Sequence, residues 1–236
     1  MVRNYNFEEQ LQTFFIQWNC LSDIQKPIKS LQKPSIEPNE LESFFNEFNV
    51  AYEPIHQLNR QGFFVNVWQT AGLKRDEVRN SQVLKWFLDC NADHGFKNRV
   101  LDLFLKSLSM KVDTPQQYST YAENYPINDG LNRIDIEIES NELLIFIEVK
   151  IDANEGFEQL KRYQEVASKK SNGKKWAVIY LTTNGLLPRG YVHSEFLVSI
   201  SWRDFAKSIL LFIQNRGSQT HNLWILKQFA EHIKTF

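Results

Sequence analysis

Residues 132–163, NRIDIEIESNELLIFIEVKIDANEGFEQLKRY, constrain the fold more than any other part of the chain, because they spell strand, tight turn, strand and helix. Ile134, Ile136 and Ile138 alternate with Asp135, Glu137 and Glu139, the two-residue period of a strand with one buried face. The run LLIFIEVK alternates again, with Ile145, Ile147 and Val149 out of phase with Leu144, Phe146, Glu148 and Lys150. A hairpin closing on a two-residue Asn141-Glu142 loop gathers these six β-branched residues on one face. The same register sets Asp135 directly opposite Glu148, and puts Asp135, Glu137, Glu148 and Lys150 together on the other face. A loop one residue longer would scatter the apolar set, so the buried face selects the register.

That register brings two acids together. Carboxylates facing each other across a ladder have Cβ atoms about 4.5–5.5 Å apart and destabilise the pair. A divalent cation between them turns repulsion into coordination, and hard oxygen ligands suit Mg²⁺ or Mn²⁺. Lys150 lies two residues past Glu148 on the same face, where an ammonium can hold or polarise a bound water. The constellation asks for metal-assisted attack of water on a phosphodiester.

Asp135, followed by Glu148-Val149-Lys150 at the end of the next strand, resembles the PD-(D/E)XK nuclease superfamily, whose fold is that of restriction endonucleases. Gln159 and Tyr163, one turn apart on the following helix, match the QxxxY motif of the RecB-like and lambda-exonuclease-like branches. Upstream, DEVRNSQVLKWFLDCNADHG resembles the opening of the nuclease core in a bacterial branch of the superfamily, and Glu77 falls where a helix-borne glutamate joins the metal site. The resemblance implies catalytic roles for Asp135, Glu148, Lys150, Gln159, Tyr163 and Glu77. It implies a metal site at Asp135, Glu148, Val149 and Glu77, filled by Mg²⁺ with Mn²⁺ able to substitute. The proline that names the superfamily is Ile134 here. Glu77 has a competing reading as a residue that favours a helix N-terminus, and His94 in the turn NADHG is a weaker candidate for a phosphate contact.

The expected fold class is α/β: a restriction-endonuclease-like core of helix, three-stranded antiparallel meander, helix and strand, with N-terminal and C-terminal helical additions. The expected division is a helical cap and connector over residues 1–72, the nuclease core over 73–202, and closing helices over 203–236. In the cap, Leu11, Phe14, Phe15 and Trp18 form one helical stripe within residues 7–19, and Leu41, Phe44, Phe45 and Phe48 another within residues 40–50. Residues 21–39 read as a Pro-containing connector, and residues 62–68 as a strand or packed loop. A core helix starts near residues 73–74, with Val83, Trp86, Phe87 and Cys90 on one face. Asp152 and Glu155 have the spacing of a capping box for the helix carrying Gln159. Lys169, Lys170, Lys174 and Lys175 read as the solvated end of that helix, with contact to a DNA backbone as the alternative.

Net charge is −1, not the profile of a protein that coats nucleic acid non-specifically, so phosphate contacts would come from a local basic patch, a partner or an oligomer. Arg79, Lys161 and Arg162 are the candidates near the motif residues. The two cysteines lack metal-ligand spacing, no apolar leader core opens the chain, and no run is long enough to span a membrane, so a soluble cytoplasmic protein is expected. The favoured activity is Mg²⁺-dependent hydrolysis of DNA, in bacterial DNA processing or phage defence. RNA is the other substrate considered, and a homo-oligomer or protein partner is allowed. The alternatives are a non-catalytic nucleic-acid-binding or assembly module of the same fold, and an RNase toxin.

Overall fold

The structure is a computed structural model that describes residues 12, 13, 16, 37–126, 133–153, 158–216 and 220–236. The chain forms two compact units, Met1–Phe64 and Val65–Phe236. The described part of the first is essentially α1 (Pro38–Arg60), which begins with a proline in its first turn and continues through Pro54. This helix is longer than the 40–50 stripe, and it takes in the last residues of the expected connector. The stripe expected at residues 7–19 falls almost wholly outside the described residues.

The second unit is organised by a five-stranded sheet in the order β1 (Ser119–Asn124), β2 (Ile134–Glu139), β3 (Leu143–Val149), β4 (Lys175–Thr182), β5 (Leu197–Ser201). The pairs β1–β2 and β2–β3 are antiparallel, while β3–β4 and β4–β5 are parallel. The β2–β3 turn is closed by the Ser140 N–H donating to the Leu143 carbonyl at 2.8 Å, and Ile136 faces Ile147, as parity demands. Crossing from β3 to the parallel β4 requires a connection over one face of the sheet. It is made by α5 (Gln159–Ser171), which ends at Asn172 and Gly173, both with positive φ.

One sheet face, bearing Ile136, Ile138, Ile145, Ile147 and Val149, packs on α3 (Glu77–Leu88), α4 (Arg99–Ser107), α6 (Trp202–Gln214) and α7 (His221–Ile233). Phe87, Phe104, Phe205 and Phe229 are fully buried there, and Trp68 of α2 (Val67–Thr70) joins them. The opposite face forms a second cluster, in which Leu144 and Phe146 meet Leu160, Tyr163, Val166 and Ala167 of α5. Because both faces are covered, every residue of β3 is buried. Ile134 is the exception to the parity argument, packing with the second cluster rather than the first.

Several local expectations change. Residues 67–70 are a helical turn, not a strand, because the Asn66 side chain accepts from the Trp68 and Gln69 N–H groups at 3.1 Å and caps it. The core helix begins at Glu77, since Lys74 takes a left-handed φ of 46° and Asp76 caps by accepting from the Arg79 N–H at 3.0 Å. Its buried residues are Asn80, Ser81, Leu84, Phe87 and Leu88, so the stripe is rotated from the one expected. Asp152 does not cap α5: the helix starts at Gln159, and Asp152 instead pairs with Arg75 at 2.6 Å. Glu155 lies outside the described residues. Two of the four lysines at the far end of α5 are not merely solvated. Lys170 bridges Glu137 and Glu139, and Lys174 bonds Glu139 at 2.6 Å.

Glu137 is fully buried, with Lys170 and the Asn124 amide as its partners. A charge so placed is tolerated only while paired. Lys170→Met should therefore cost about 3 kcal/mol of unfolding free energy, the low end for a broken buried pair, because the lysine is partly solvated. Glu137→Gln combined with Lys170→Met should recover most of that loss in a denaturant titration. Equal losses in the single and double variants would mean that the ion pair does not carry this packing.

Candidate active site

The β2–β3 ladder runs from Glu139 opposite Leu144 to Ile136 opposite Ile147 and then stops. Asp135 and Glu148 would form the next pair. Instead the Asp135 carboxylate takes the place of a backbone acceptor, its Oδ2 receiving the Val149 N–H at 2.9 Å. Beyond this point β3 keeps only its parallel neighbour, with Val149 aligned to Leu181 and the Lys150 N–H donating to the Leu181 carbonyl at 2.8 Å. The Trp202 indole N–H also reaches the Lys150 carbonyl at 3.3 Å. The end of β3 is thus held by these contacts while β2 parts from it, and the gap between β2 and β3 is the site.

Glu148 points to the α5 side and is 1% exposed. Its Oε1 accepts from Lys150 Nζ at 2.6 Å and from Gln159 Nε2 at 2.7 Å. The same Gln159 nitrogen donates to the Tyr163 hydroxyl at 2.7 Å, and that hydroxyl donates its proton to the Arg133 carbonyl at 2.5 Å. The helix pair therefore ties the end of β3 to the start of β2. With its single proton committed to Arg133, Tyr163 has none for Glu148, and Glu148 Oε2 is buried without a donor.

Burial first, and the nearby Asp135 charge second, push the Glu148 carboxyl up to about 7. Burial also raises Asp135, against the opposing pull of the Val149 N–H and of Lys150 and Arg133. For Lys150 burial works against the ammonium, but the charges of Glu148, Asp135 and Glu77 outweigh it and hold the pKa above the ordinary lysine value. Lys150 is therefore a standing cation at neutral pH and does not serve as a base in this arrangement.

Glu77, the first residue of α3, accepts the Ile151 N–H on its Oε2 at 2.9 Å. It lines one cavity of about 100 Å³ together with Asp135, Val149 and Lys150. The two readings of Glu77 meet here, since a helix-start glutamate is also a wall of the site. Val78, Ser81, Glu123 and Arg133 complete the lining and were not singled out from the sequence. Arg133 shares the parity of Asp135, Glu137 and Glu139, a signal that was present in the alternating pattern. Glu123 becomes visible only once β1 is in register with β2.

Other candidates do not line this cavity. His94 is buried, accepting the Phe96 N–H on Nδ1 at 2.9 Å with Nε2 at 2.9 Å from the Asp89 carbonyl, so both ring nitrogens serve the fold. Arg79 bonds the Gly72 carbonyl at 3.1 Å, and Lys161 lies 3.8 Å from Glu158.

Among the described residues no three His, Cys, Asp or Glu side chains converge as a ready-made metal cage. The donor set nonetheless fits a hard divalent cation. A buried carboxylate oxygen without a donor, beside a second, half-buried acid, is an acceptor lacking a positive partner. Asp135 and Glu148 would supply the carboxylates, with Glu77 beside Asp135; Val149 can offer only its carbonyl.

The family model of the PD-(D/E)XK nuclease superfamily matches residues 65–235, a span that coincides with the second compact unit almost end to end. The chain belongs to this superfamily of nucleases, hydrolases that generally use divalent metals. No curated protein and no solved structure matches it. No helix among the described residues is long and apolar enough to cross a membrane.

The raised Glu148 value gives a stability signature in metal-free protein. A carboxyl whose folded pKa lies above its ordinary 4.5 binds protons more tightly when folded, so its contribution is favourable below about 4.5 and is lost as pH rises through about 7. Asp135→Asn removes the like charge while keeping an oxygen for the Val149 N–H. In EDTA the thermal midpoint of wild type should fall, relative to Asp135→Asn, between pH 4.5 and 7. Parallel curves for the two proteins would contradict the coupling of the two acids.

Proposed function

We propose that the chain is a Mg²⁺-dependent deoxyribonuclease that hydrolyses phosphodiester bonds at the Asp135–Glu148–Lys150 site, with Mn²⁺ able to substitute. The observation that carries this reading is the donorless Glu148 Oε2, buried beside Asp135 at the point where β2 and β3 separate. The succession of α3, three antiparallel strands, α5 and the parallel β4 supports it, because it fits a restriction-endonuclease-like core. A divalent cation held by Asp135 and Glu148, with Glu77 and the Val149 carbonyl as further donors, would activate water and offset charge on the phosphate.

The chain's own residues do the remaining work. Gln159 fixes Glu148 by occupying Oε1, so that Oε2 keeps one direction. Lys150 holds its proton at Nζ and presents a positive group at the cavity wall, suited to orienting the attacking water and to stabilising negative charge on the phosphate. Tyr163 and Gln159 tie the two strand ends into one rigid mouth. A role in bacterial DNA processing or phage defence is consistent with such an activity.

The test is cleavage of linear duplex DNA, single-stranded DNA and RNA with Mg²⁺, Mn²⁺ or EDTA. DNA should be cut only with metal. Lys150→Ala should slow single-turnover cleavage about a hundredfold or more while DNA affinity in Ca²⁺ stays near wild type. Cleavage of RNA alone would replace the substrate, and equal cleavage by wild type and Asp135→Asn would remove the site from the reaction.

A further inference from the structure

Two cations line the cavity, Lys150 and Arg133, and they are placed differently. Lys150 is 16% exposed and bound to buried Glu148. Arg133 is 51% exposed, and its Nη1 lies 3.4 Å from Oε1 of Glu123, itself 41% exposed. Arg133 lies two residues before Asp135 and its carbonyl is pinned by the Tyr163 hydroxyl, so its backbone is fixed while its guanidinium stays near water.

Glu123 is unusual in its own right. Continuing the β1–β2 register, in which Ala122 faces Ile136 and Asn124 faces Ile134, puts Glu123 across from Asp135. Yet no pair forms there, and Glu123 has a left-handed φ of 49° within β1. A non-glycine residue held so one residue before the end of a strand marks a site where another requirement has overridden the ladder. Here that requirement is to bring a carboxylate to the cavity wall opposite Asp135, where it meets Arg133.

We propose that Arg133 binds a non-bridging oxygen of the substrate phosphate, and that Glu123 is its resting partner, displaced when the phosphate arrives. This deepens the nuclease reading and rests on it. A guanidinium suits the task because it donates two parallel hydrogen bonds to a phosphate and never loses its charge. Half-exposed ion pairs contribute little to stability, so the Glu123 contact is cheap to exchange. It also shields the cavity: with Glu77, Glu123 and Asp135 facing it, an unaided polyanion would be repelled. Exchanging Glu123 for phosphate on Arg133 trades a carboxylate partner for the substrate itself.

The experiment measures duplex DNA binding across salt in Ca²⁺, and steady-state cleavage in Mg²⁺, for wild type, Arg133→Ala, Arg133→Lys and Glu123→Gln. Arg133→Ala should weaken binding and raise KM about tenfold or more, and should lower the slope of log affinity against log salt by about 0.9, one phosphate contact. Arg133→Lys should restore the slope but only part of the affinity, because the paired donation is lost. Glu123→Gln should bind more tightly than wild type, since the competing carboxylate is gone. Thermal midpoints should stay level across the series. Wild-type affinity, slope and KM in Arg133→Ala would overturn this proposal and leave the nuclease reading intact. If wild type binds but does not cleave, the salt slopes still decide the role of Arg133. Absence of both binding and cleavage in wild type would overturn both readings.

Discussion

Placing a carboxylate, Glu148, inside the protein at the end of the central strand is the constraint around which the second unit is arranged. β3 is buried along its whole length, so any ionisable group on it must bring its own partners. Lys150 supplies a charge from the same strand, and Gln159 supplies a neutral donor from the helix above. Both converge on Oε1, leaving Oε2 without a donor. A fold selected only for stability would satisfy that oxygen or replace the side chain by an apolar one. Retaining it beside Asp135 is comprehensible if the pair is completed by something the chain itself does not contain.

The acids of β2 show the same logic in gradation. Glu139, near the turn, is held below the usual carboxylate range because Lys174 and Lys170 together outweigh its partial burial. Glu137 is buried under α5 and is matched by Lys170 and Asn124. Asp135, at the open end, has a backbone N–H as its hydrogen-bond donor and no lysine in direct contact, and its pKa is raised. Three residues of one parity on one strand thus run from neutralised to only partly compensated, and the least compensated end is where the strands part. Helix α5 enforces this, with lysines reaching down at its C-terminal end and Gln159 and Tyr163 at its N-terminal end.

Much of this was legible from the alternation of residues 134–150. A two-residue period read against a two-residue loop left one register, and the observed pairing of Ile136 with Ile147 is that register. What parity did not reveal was that the second face is also covered, or that the ladder stops at Asp135. Both depend on α5 and on side-chain capture of the Val149 N–H, which are tertiary events. The start of α5 was misread for a related reason. Asp152 has the spacing of a cap, but Arg75, far away in sequence, binds it instead. Asn80 and Ser81 occupy the buried side of α3 because Asn80 bonds the Lys74 and Asp76 carbonyls and Ser81 the Glu77 carbonyl, a use of polar residues that hydrophobic periodicity does not register. Glu77 was reached through resemblance alone. Arg133 lay in plain view one step before the alternating run, sharing the parity of its acids, a signal the motif residues overshadowed.

The resting site is closed upon itself, and that follows from the order in which its contacts can be exchanged. Lys150 sits on Glu148, the Val149 N–H on Asp135, the Ile151 N–H on Glu77, and Arg133 on Glu123. The two backbone contacts occupy one oxygen of each acid and leave the other for a new ligand, so they need not break. The two ion pairs differ in cost. Releasing Lys150 from a buried carboxylate without replacement would strand a charge, whereas releasing Arg133 from a half-exposed glutamate strands none. Incoming positive charge at Glu148 and incoming negative charge at Arg133 are therefore complementary: the first frees a cation toward the cavity, and the second is drawn by the cations already there. If the proposed metal and phosphate contacts hold, a site built this way favours the joint arrival of a divalent ion and a phosphate over either alone, which would spare a near-neutral protein unproductive binding of polyanions.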